Sequence, residues 1–467
     1  MKRALTIFAA LVTAGAAIAA KPPVMPKDLP PYGQDKPLPT PQVIESRLPN
    51  GLTVWVVQRP GFPKVTAMLT VRGGSASDPQ DLAGLSDVLS EALKGGTKTR
   101  SAQRIAQELQ SVGAELSVNS SKDATFVALD GISTGLPTML KVLADVVQNA
   151  TFPVQEVELA RANALQGLKA AESTPEFAVD KAFNAAVYGA HPYGVISGTA
   201  ASYSAMTRDV LVREWQRRFR PEQALLLVVG AADPRQVNVA IVKELGTWKG
   251  VGEGVSPTAA PPALGPTKIL AVERPGSVQS EIRVGRPMPG PADPDYFPVQ
   301  VANTIFGGAF SSRLVENIRE DKGYTYSPRI GVSPSEKGSL LRVRAAVRNE
   351  VTGGALLEIF YELDRMGATL PTADELARAK RFLSGIFTLQ NQTQGAVAGT
   401  LARYWVFGLP PAALGEYVPK VNAVTAEKVR EAGNKYFTSR SQTVVIGGDV
   451  AKIQAEITPF GKVEKAP

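Results

Sequence analysis

The stretches TRDVLVREWQRRFRPEQALLLVVG (207–230) and TAEKVREAGNKYFTSRSQTVVIGG (425–448) follow one plan. Thr207, Phe219 and Gly230 of the first recur as Thr425, Phe437 and Gly448 of the second, each 218 residues further on. Between them lies a helical stretch, then a short apolar run ending in Gly. Such a run, bounded by turn residues, reads as a buried strand. Nearer the start of each part, the helix running to Gly95-Gly96 has a counterpart in the helix running to Gly307-Gly308, at an offset of 212. A repeat more than 200 residues long is a duplicated domain, not a solenoid.

Within the first copy, Gly51–Arg59 and Lys64–Arg72 alternate like half-buried strands, with Pro-Gly turn chemistry between them. Leu82, Leu85, Leu89, Ala92 and Leu93 keep helical spacing. Ser101 is a suitable N-cap for a second helix that carries Ile105, Leu109 and Val112 and stops at Gly113. Glu115–Asn119 and Ala124–Asp130 read as a hairpin, and Leu136 to Val147 as a third amphipathic helix. Strands followed by helices predict an α+β fold: two homologous domains, each an antiparallel sheet covered by helices on one face.

The 467 residues divide accordingly. Residues 1–20 read as a signal peptide: Lys2 and Arg3 precede an Ala-rich apolar run that ends in the small-x-small site Ala17-Ile18-Ala19. Residues 21–42 form a Pro-rich lead-in, 43–249 the first domain, and 250–267 a Gly/Pro/Ala-rich linker. Residues 268–456 form the second domain and 457–467 a tail. No later segment reaches the ~18 unbroken apolar residues of a membrane span, so no membrane insertion is expected after signal cleavage. The expected location is the periplasm.

A hydrophobic share of 44% with 20% charged residues describes a globular chain. The net charge of +8 is mild for this length and falls in no Lys/Arg block, so nucleic-acid binding is not expected. With one His and no Cys, a zinc site of the usual nitrogen and sulfur ligands cannot be assembled. Any metal would need a carboxylate cage, better suited to calcium or magnesium.

The run GLSDVLSEALKGGT (Gly84–Thr97) resembles the signature helix of the insulinase/pitrilysin metallopeptidases, the family of mitochondrial processing peptidase. HPYG (His191–Gly194) and FGGAFSSRLVENIREDKGYTYS (Phe306–Ser327) are similar to that family as well, and the resemblance spans nearly all of 44–450. In the family this helix carries H-x-x-E-H, whose i and i+4 side chains share one face beside a general base. Here the matching positions hold Asp87, Ser90 and Glu91, and the family's third ligand position falls at Gly167. The resemblance therefore implies a chain with no catalytic residues and no metal of its own. Asp87 and Glu91 share a helix face on which a hard cation is conceivable, but a solvated or salt-bridged face, for instance with Lys94, is the simpler reading. Arg319 and Tyr326 match the Arg/Tyr pair with which the family's second domain reaches a bound peptide. A guanidinium and a phenol there can hydrogen-bond a scissile carbonyl and its oxyanion. Arg313 and Phe310 are expected to shape the chamber.

The implied function is that of a zinc-less subunit of a heteromeric metalloendopeptidase. A zinc-bearing homologous partner, in a heterodimer or larger assembly, would supply the catalytic site for a peptide substrate. A non-enzymatic scaffold or peptide-binding protein of the same fold is the alternative. A remote one is a serine hydrolase: Gly131-Ile132-Ser133-Thr134-Gly135 matches G-x-S-x-G, with Asp145 or Asp180 and then His191 downstream. The strand before it already has a hairpin partner, and Ser133 or Thr134 is expected instead to cap the helix at Leu136. The Gly250–Gly254 run lacks the preceding strand of a dinucleotide fold and reads as linker.

Overall fold

A computed structural model describes residues 40–263 and 265–466. The expected signal peptide and all of the Pro-rich lead-in before Thr40 lie outside the described residues. The first half contains β1 (Val43–Arg47), β2 (Thr53–Gln58), β3 (Lys64–Arg72), β4 (Glu115–Ser120), β5 (Ala124–Ile132) and β6 (Ala224–Gly230). The second contains β7 (Lys268–Glu273), β8 (Gln279–Met288), β9 (Arg329–Ser335), β10 (Gly338–Arg348), β11 (Thr443–Gly448) and β12 (Val463–Lys465).

Each half builds a six-stranded sheet, in the orders β1-β2-β6-β3-β5-β4 and β12-β7-β11-β8-β10-β9. From the second position onward the two orders superpose, as the duplication predicts. The sheets are mixed rather than wholly antiparallel. β6 lies parallel to β2 and antiparallel to β3, and β11 stands in the same relation to β7 and β8. The Pro60-Gly61 turn therefore does not close a hairpin, because β6 is inserted between the two strands it joins. The residues expected as a tail after 456 supply an edge strand, β12, which pairs parallel with β7 through Val463, Glu464 and Lys465. Thr207 and Thr425 each cap the helix that leads into these central strands, accepting the amides of Val210 and Lys428.

Helices of its own half cover one face of each sheet. Val54, Val56, Leu69, Val127, Leu226 and Val228 pack against the helices Leu85–Ala92, Leu136–Asn149 and Val154–Glu172. The opposite face is covered by a helix from the other half. Helix Gln394–Val406 lays Val397, Ala398 and Leu401 on Trp55, Leu225 and Leu227 of the first sheet. Reciprocally, helix Pro175–Tyr188 lays Val179, Phe183 and Val187 on Leu270, Leu340 and Val445 of the second. β6 and β11 are thus buried on both faces, which is why β6 is apolar throughout and β11 is apolar after Thr443. The approach is close: a Cβ on Gly447 would collide with Val179.

Polar contacts fix the junction. Asp180 accepts the Arg283 Nε at 2.7 Å and lies 3.8 Å from Arg342 and 3.7 Å from Arg344. Arg72 donates to the carbonyls of Trp405 and Val406 at 3.0 and 3.1 Å and stacks on the Trp405 ring. The linker is laid on the first half: Val255 exchanges two hydrogen bonds with the Gln223 side chain.

Candidate functional site

The helix Leu85–Ala92 is anchored from beneath by ions. Arg218 is 0% exposed and donates to Asp78 at 2.8 Å and to the Ser86 hydroxyl at 2.7 Å, with Glu214 at 3.6 Å. Asp78 also accepts the Ser86 hydroxyl at 2.6 Å, so the start of the helix is tied into a buried network. Two carboxylates and the Ser86 hydroxyl, which accepts from Arg218, offset the cost of burying this cation.

On the same helix, Asp87 and Glu91 reach solvent and Ser90 is buried. Glu91 is paired with Lys94 at 2.7 Å, the salt-bridged face the sequence suggests. The Ser90 hydroxyl meets that of Ser120 at 3.1 Å, and Ser120 in turn meets Thr125 at 2.8 Å. Although Asp87 reaches solvent, the protein packed round it, and secondarily the Asp78 carboxylate, push its carboxyl above the usual range. Gly167 lies within the helix Val154–Glu172, which packs on Leu85–Ala92, and no atom stands within 4 Å of the place a Cβ would occupy. As a zinc site this set does not fit: it holds two carboxylates, one of them ion-paired, and the other two positions offer a hydroxyl and nothing. Among the described residues no cluster of three or more His, Cys, Asp or Glu side chains is placed to share a metal ion.

The second half presents a different surface. The chain widens into π-helical turns at Thr304–Gly308 and Glu316–Asp321, and the second of these carries Arg319. Its guanidinium carbon lies 4.6 Å from the centre of the Phe310 ring and 5.0 Å from that of Tyr326. Glu320 pairs with its Nε at 3.1 Å. Phe310 is 69% exposed and Tyr326 81% exposed, so neither ring serves a core. With Gly307, Gly308 and the start of β9 they line one recess. A Cβ on Gly307 would collide with Ile330, so glycine there lets the loop lie against the edge strand. A guanidinium held between two aromatic faces and a free phenol are hydrogen-bond donors suited to a carbonyl or an oxyanion. Arg313 belongs elsewhere. It makes a forked pair with Glu375, at 2.6 and 3.0 Å, which joins the loop to the helix Ala373–Gln390. The expected roles of Arg313 and Phe310 therefore separate, Arg313 bracing the loop and Phe310 facing solvent.

The residues of the Ser-Asp-His alternative are not brought together. Ser133 follows β5, which pairs antiparallel on both sides, whereas that motif needs a parallel sheet. Asp145 takes Thr97, Thr99 and Arg100, and Asp180 takes Arg283. His191 accepts the Tyr193 amide on Nδ1, so its Nε2 carries the proton and donates to the Ala259 carbonyl at 3.0 Å. The expected cap at Leu136 is also absent. Ser133–Gly135 wind into a 3₁₀ turn that leads directly into the helix, and Gly135 occupies the cap position without a side chain to donate or accept. Two features escaped the sequence. Arg218 lies in an Arg-rich helix end that reads as surface charge, and the stacking of Phe310 on Arg319 depends on a loop whose path no periodicity encodes.

Doubled sheets with exchanged covering helices, together with this pair of surfaces, define a two-domain, metallopeptidase-like chain. Residues 53–197 match the model of the insulinase family, M16, and residues 205–383 that of the peptidase M16 inactive domain. An uncharacterized zinc protease of Mycobacterium leprae is 28% identical over 417 residues, covering 88% of this chain and 93% of its own. Another, from Bacillus subtilis, is 23% identical over 395 residues, covering 83% and 94%. The crystal structure of a peptidase M16 inactive domain from Pseudomonas fluorescens superposes with a TM-score of 0.81 at 24% identity, over 91% of this chain and all of that one. The crystal structure of a protease from Helicobacter pylori gives 0.80 at 18% identity, over 87% of this chain. The chain belongs to the insulinase-like peptidase family M16.

Proposed function

We propose that this chain is the zinc-less subunit of a heteromeric metalloendopeptidase, exported to the periplasm, where it pairs with a homologue that carries H-x-x-E-H. The partner supplies the metal, the water and the general base. This chain supplies Arg319 and Tyr326, which hold the scissile carbonyl of an extended peptide and stabilise the charge that develops on its oxygen. The observation that carries the reading is the Arg319 guanidinium stacked between the exposed rings of Phe310 and Tyr326. Such a construction serves no core, while Asp87, Ser90, Glu91 and Gly167 offer no zinc ligand set on the first half. The relatives named as zinc proteases support the peptidase context of the pairing.

Co-expression of the mature chain with an H-x-x-E-H homologue from the same genome, followed by affinity capture through a tag on one of them, tests the pairing. Recovery of both chains at a fixed ratio supports it. Recovery of the tagged chain alone would instead favour a peptide-binding scaffold that works without a zinc partner.

A further inference from the structure

A recess of about 520 Å³ opens where the two halves meet, away from the Arg319 surface. Its walls come from the end of β4 and its turn (119–123), Met68 of β3, Phe126 of β5, residues 333–335 of β9, and the helix Gln394–Val406 with Phe407 after it. Met68, Phe126, Val406 and Phe407 make it apolar, and Arg403 lies at its wall. Among the described residues Arg403 makes no ion pair. Its hydrogen-bond partner is the Thr400 hydroxyl at 3.1 Å, which leaves most of its five donors without a protein acceptor. Arg403 reaches solvent, yet the protein around it lowers its pKa from the usual arginine value. Its open donors meet solvent at the mouth of the recess, where they can take an anion seated against the apolar walls.

The other charges in the recess do not neutralise it. Lys122 donates to the Tyr193 carbonyl, and burial brings its pKa down to about 8, so it remains mostly cationic at neutral pH. The two Asp123 oxygens are occupied by the Tyr193 hydroxyl and by the Glu336 amide. Glu336 itself is paired with Arg72 and Lys337. β4 and β9 are both edge strands, so unpaired main-chain groups border the same opening.

We infer that this recess binds the C-terminal end of an extended peptide, with the free carboxylate on Arg403 and the last apolar side chain among Met68, Phe126, Val406 and Phe407. The planar guanidinium fork matches a carboxylate, and the adjoining strand edges match peptide main chain. The inference rests on the reading of the chain as a peptide-handling subunit and deepens it, by giving the assembly a preference for peptides with a nearby free, apolar C-terminus. Gly399 keeps the recess open: a Cβ there would stand 3.7 Å from the Arg403 Nη1, and a larger side chain would cover the guanidinium.

Fluorescence anisotropy on the lone mature chain tests this without any zinc partner, so the outcome does not depend on the pairing. The probes are an N-terminally labelled pentapeptide ending in Ala-Leu, as the free acid and as the C-terminal amide. The acid is expected to bind at least about 10-fold tighter, in keeping with a charge-assisted pair. Arg403→Gln should erase that preference and Arg403→Lys should keep part of it. Gly399→Leu should weaken the acid with no fall in melting temperature. Equal affinity for acid and amide, or a preference that survives Arg403→Gln, would overturn the inference. Competition by decanoate as strong as by the peptide would overturn it too, making the site one for fatty acids.

Discussion

The Arg319 guanidinium lies over the Tyr326 ring, 5.0 Å from its centre, and over the Phe310 ring at 4.6 Å. Two rings restrict a side chain that otherwise samples many rotamers, so less entropy is lost when it meets a substrate. In the assembled enzyme, Tyr326→Phe and Arg319→Ala should each lower kcat by about 100-fold, the scale of losing one oxyanion donor. Phe310→Ala removes one stacking contact and should cost about 3- to 5-fold, from roughly 0.5–1 kcal/mol. Steady-state kinetics with a quenched peptide measures all three. Unchanged kcat in both Arg319→Ala and Tyr326→Phe would refute their role, and loss of assembly would show that they are interface residues instead.

Arg218 is predicted to be among the most sensitive positions for stability. Its removal leaves Asp78, whose side chain is 4% exposed, as a buried carboxylate without its cation, while Glu214, 7% exposed, keeps only Arg217 at 2.6 Å. Arg218→Met should cost about 3–5 kcal/mol in urea unfolding, the usual scale for breaking a buried pair. Replacing both acids along with it, as Asp78→Asn, Glu214→Gln and Arg218→Met together, should recover part of that loss. A cost below about 1 kcal/mol for the single variant would mean that water, not Arg218, solvates these acids.

The junction between the halves is predicted to be one cooperative unit. Asp180→Ala leaves Arg283, which is 1% exposed, with Glu281 at 2.9 Å as its remaining carboxylate, and weakens the pull on Arg342 and Arg344. Gly447→Val places carbon where Val179 already sits. Each should destabilise by about 1–3 kcal/mol, from the loss of a charge-assisted hydrogen bond and from overpacking respectively. Protease sensitivity of the linker near residues 250–263 should rise in parallel. Two separate unfolding transitions in the native chain would contradict this coupling.

Acid should act on the brace beneath the Arg319 loop. Burial alone would raise the Glu375 carboxyl, but the Arg313 fork and the Thr372 amide outweigh it and hold the pKa at about 2. A depressed folded pKa contributes stability that is complete above the unfolded value near 4.5 and is lost as pH falls toward about 2. Glu375→Gln should therefore lower stability at neutral pH and flatten its pH dependence between those limits. Thermal melts at pH 7, 4 and 2 check this. An equally steep decline in the variant would assign the acid sensitivity to other carboxylates.

Much of the fold was legible because it rests on local pattern. The continuous apolar run of β6 announces a buried strand, and the spacing of Leu85, Leu89 and Ala92 announces a helix with one buried stripe. Long-range choices were not legible. The apolar stripe of Pro175–Tyr188 shows that the helix is buried, but not that it covers the sheet of the other half. Pro60-Gly61 is sound turn chemistry, yet the strand that separates its neighbours arrives more than 150 residues later. The candidate site divides the same way. Glu91 and Lys94 are neighbours on a helix face, so their ion pair could be expected. The triangle of Phe310, Arg319 and Tyr326 requires two irregular turns to bring it together, and Arg403 becomes notable only once the acids around it are seen to be engaged elsewhere.

The central claim, that this chain completes a peptidase whose metal resides in a partner, is tested most directly by measuring zinc content and hydrolysis of a quenched peptide. Both are read on the mature chain alone, on the H-x-x-E-H homologue alone, and on the co-expressed pair. Stoichiometric zinc in the homologue, no hydrolysis by this chain alone, and turnover at least about 100-fold above either chain only in the pair are the predicted results, on the scale of the oxyanion donors this chain contributes. Hydrolysis by this chain alone, or equal turnover by the homologue with and without it, would contradict the account.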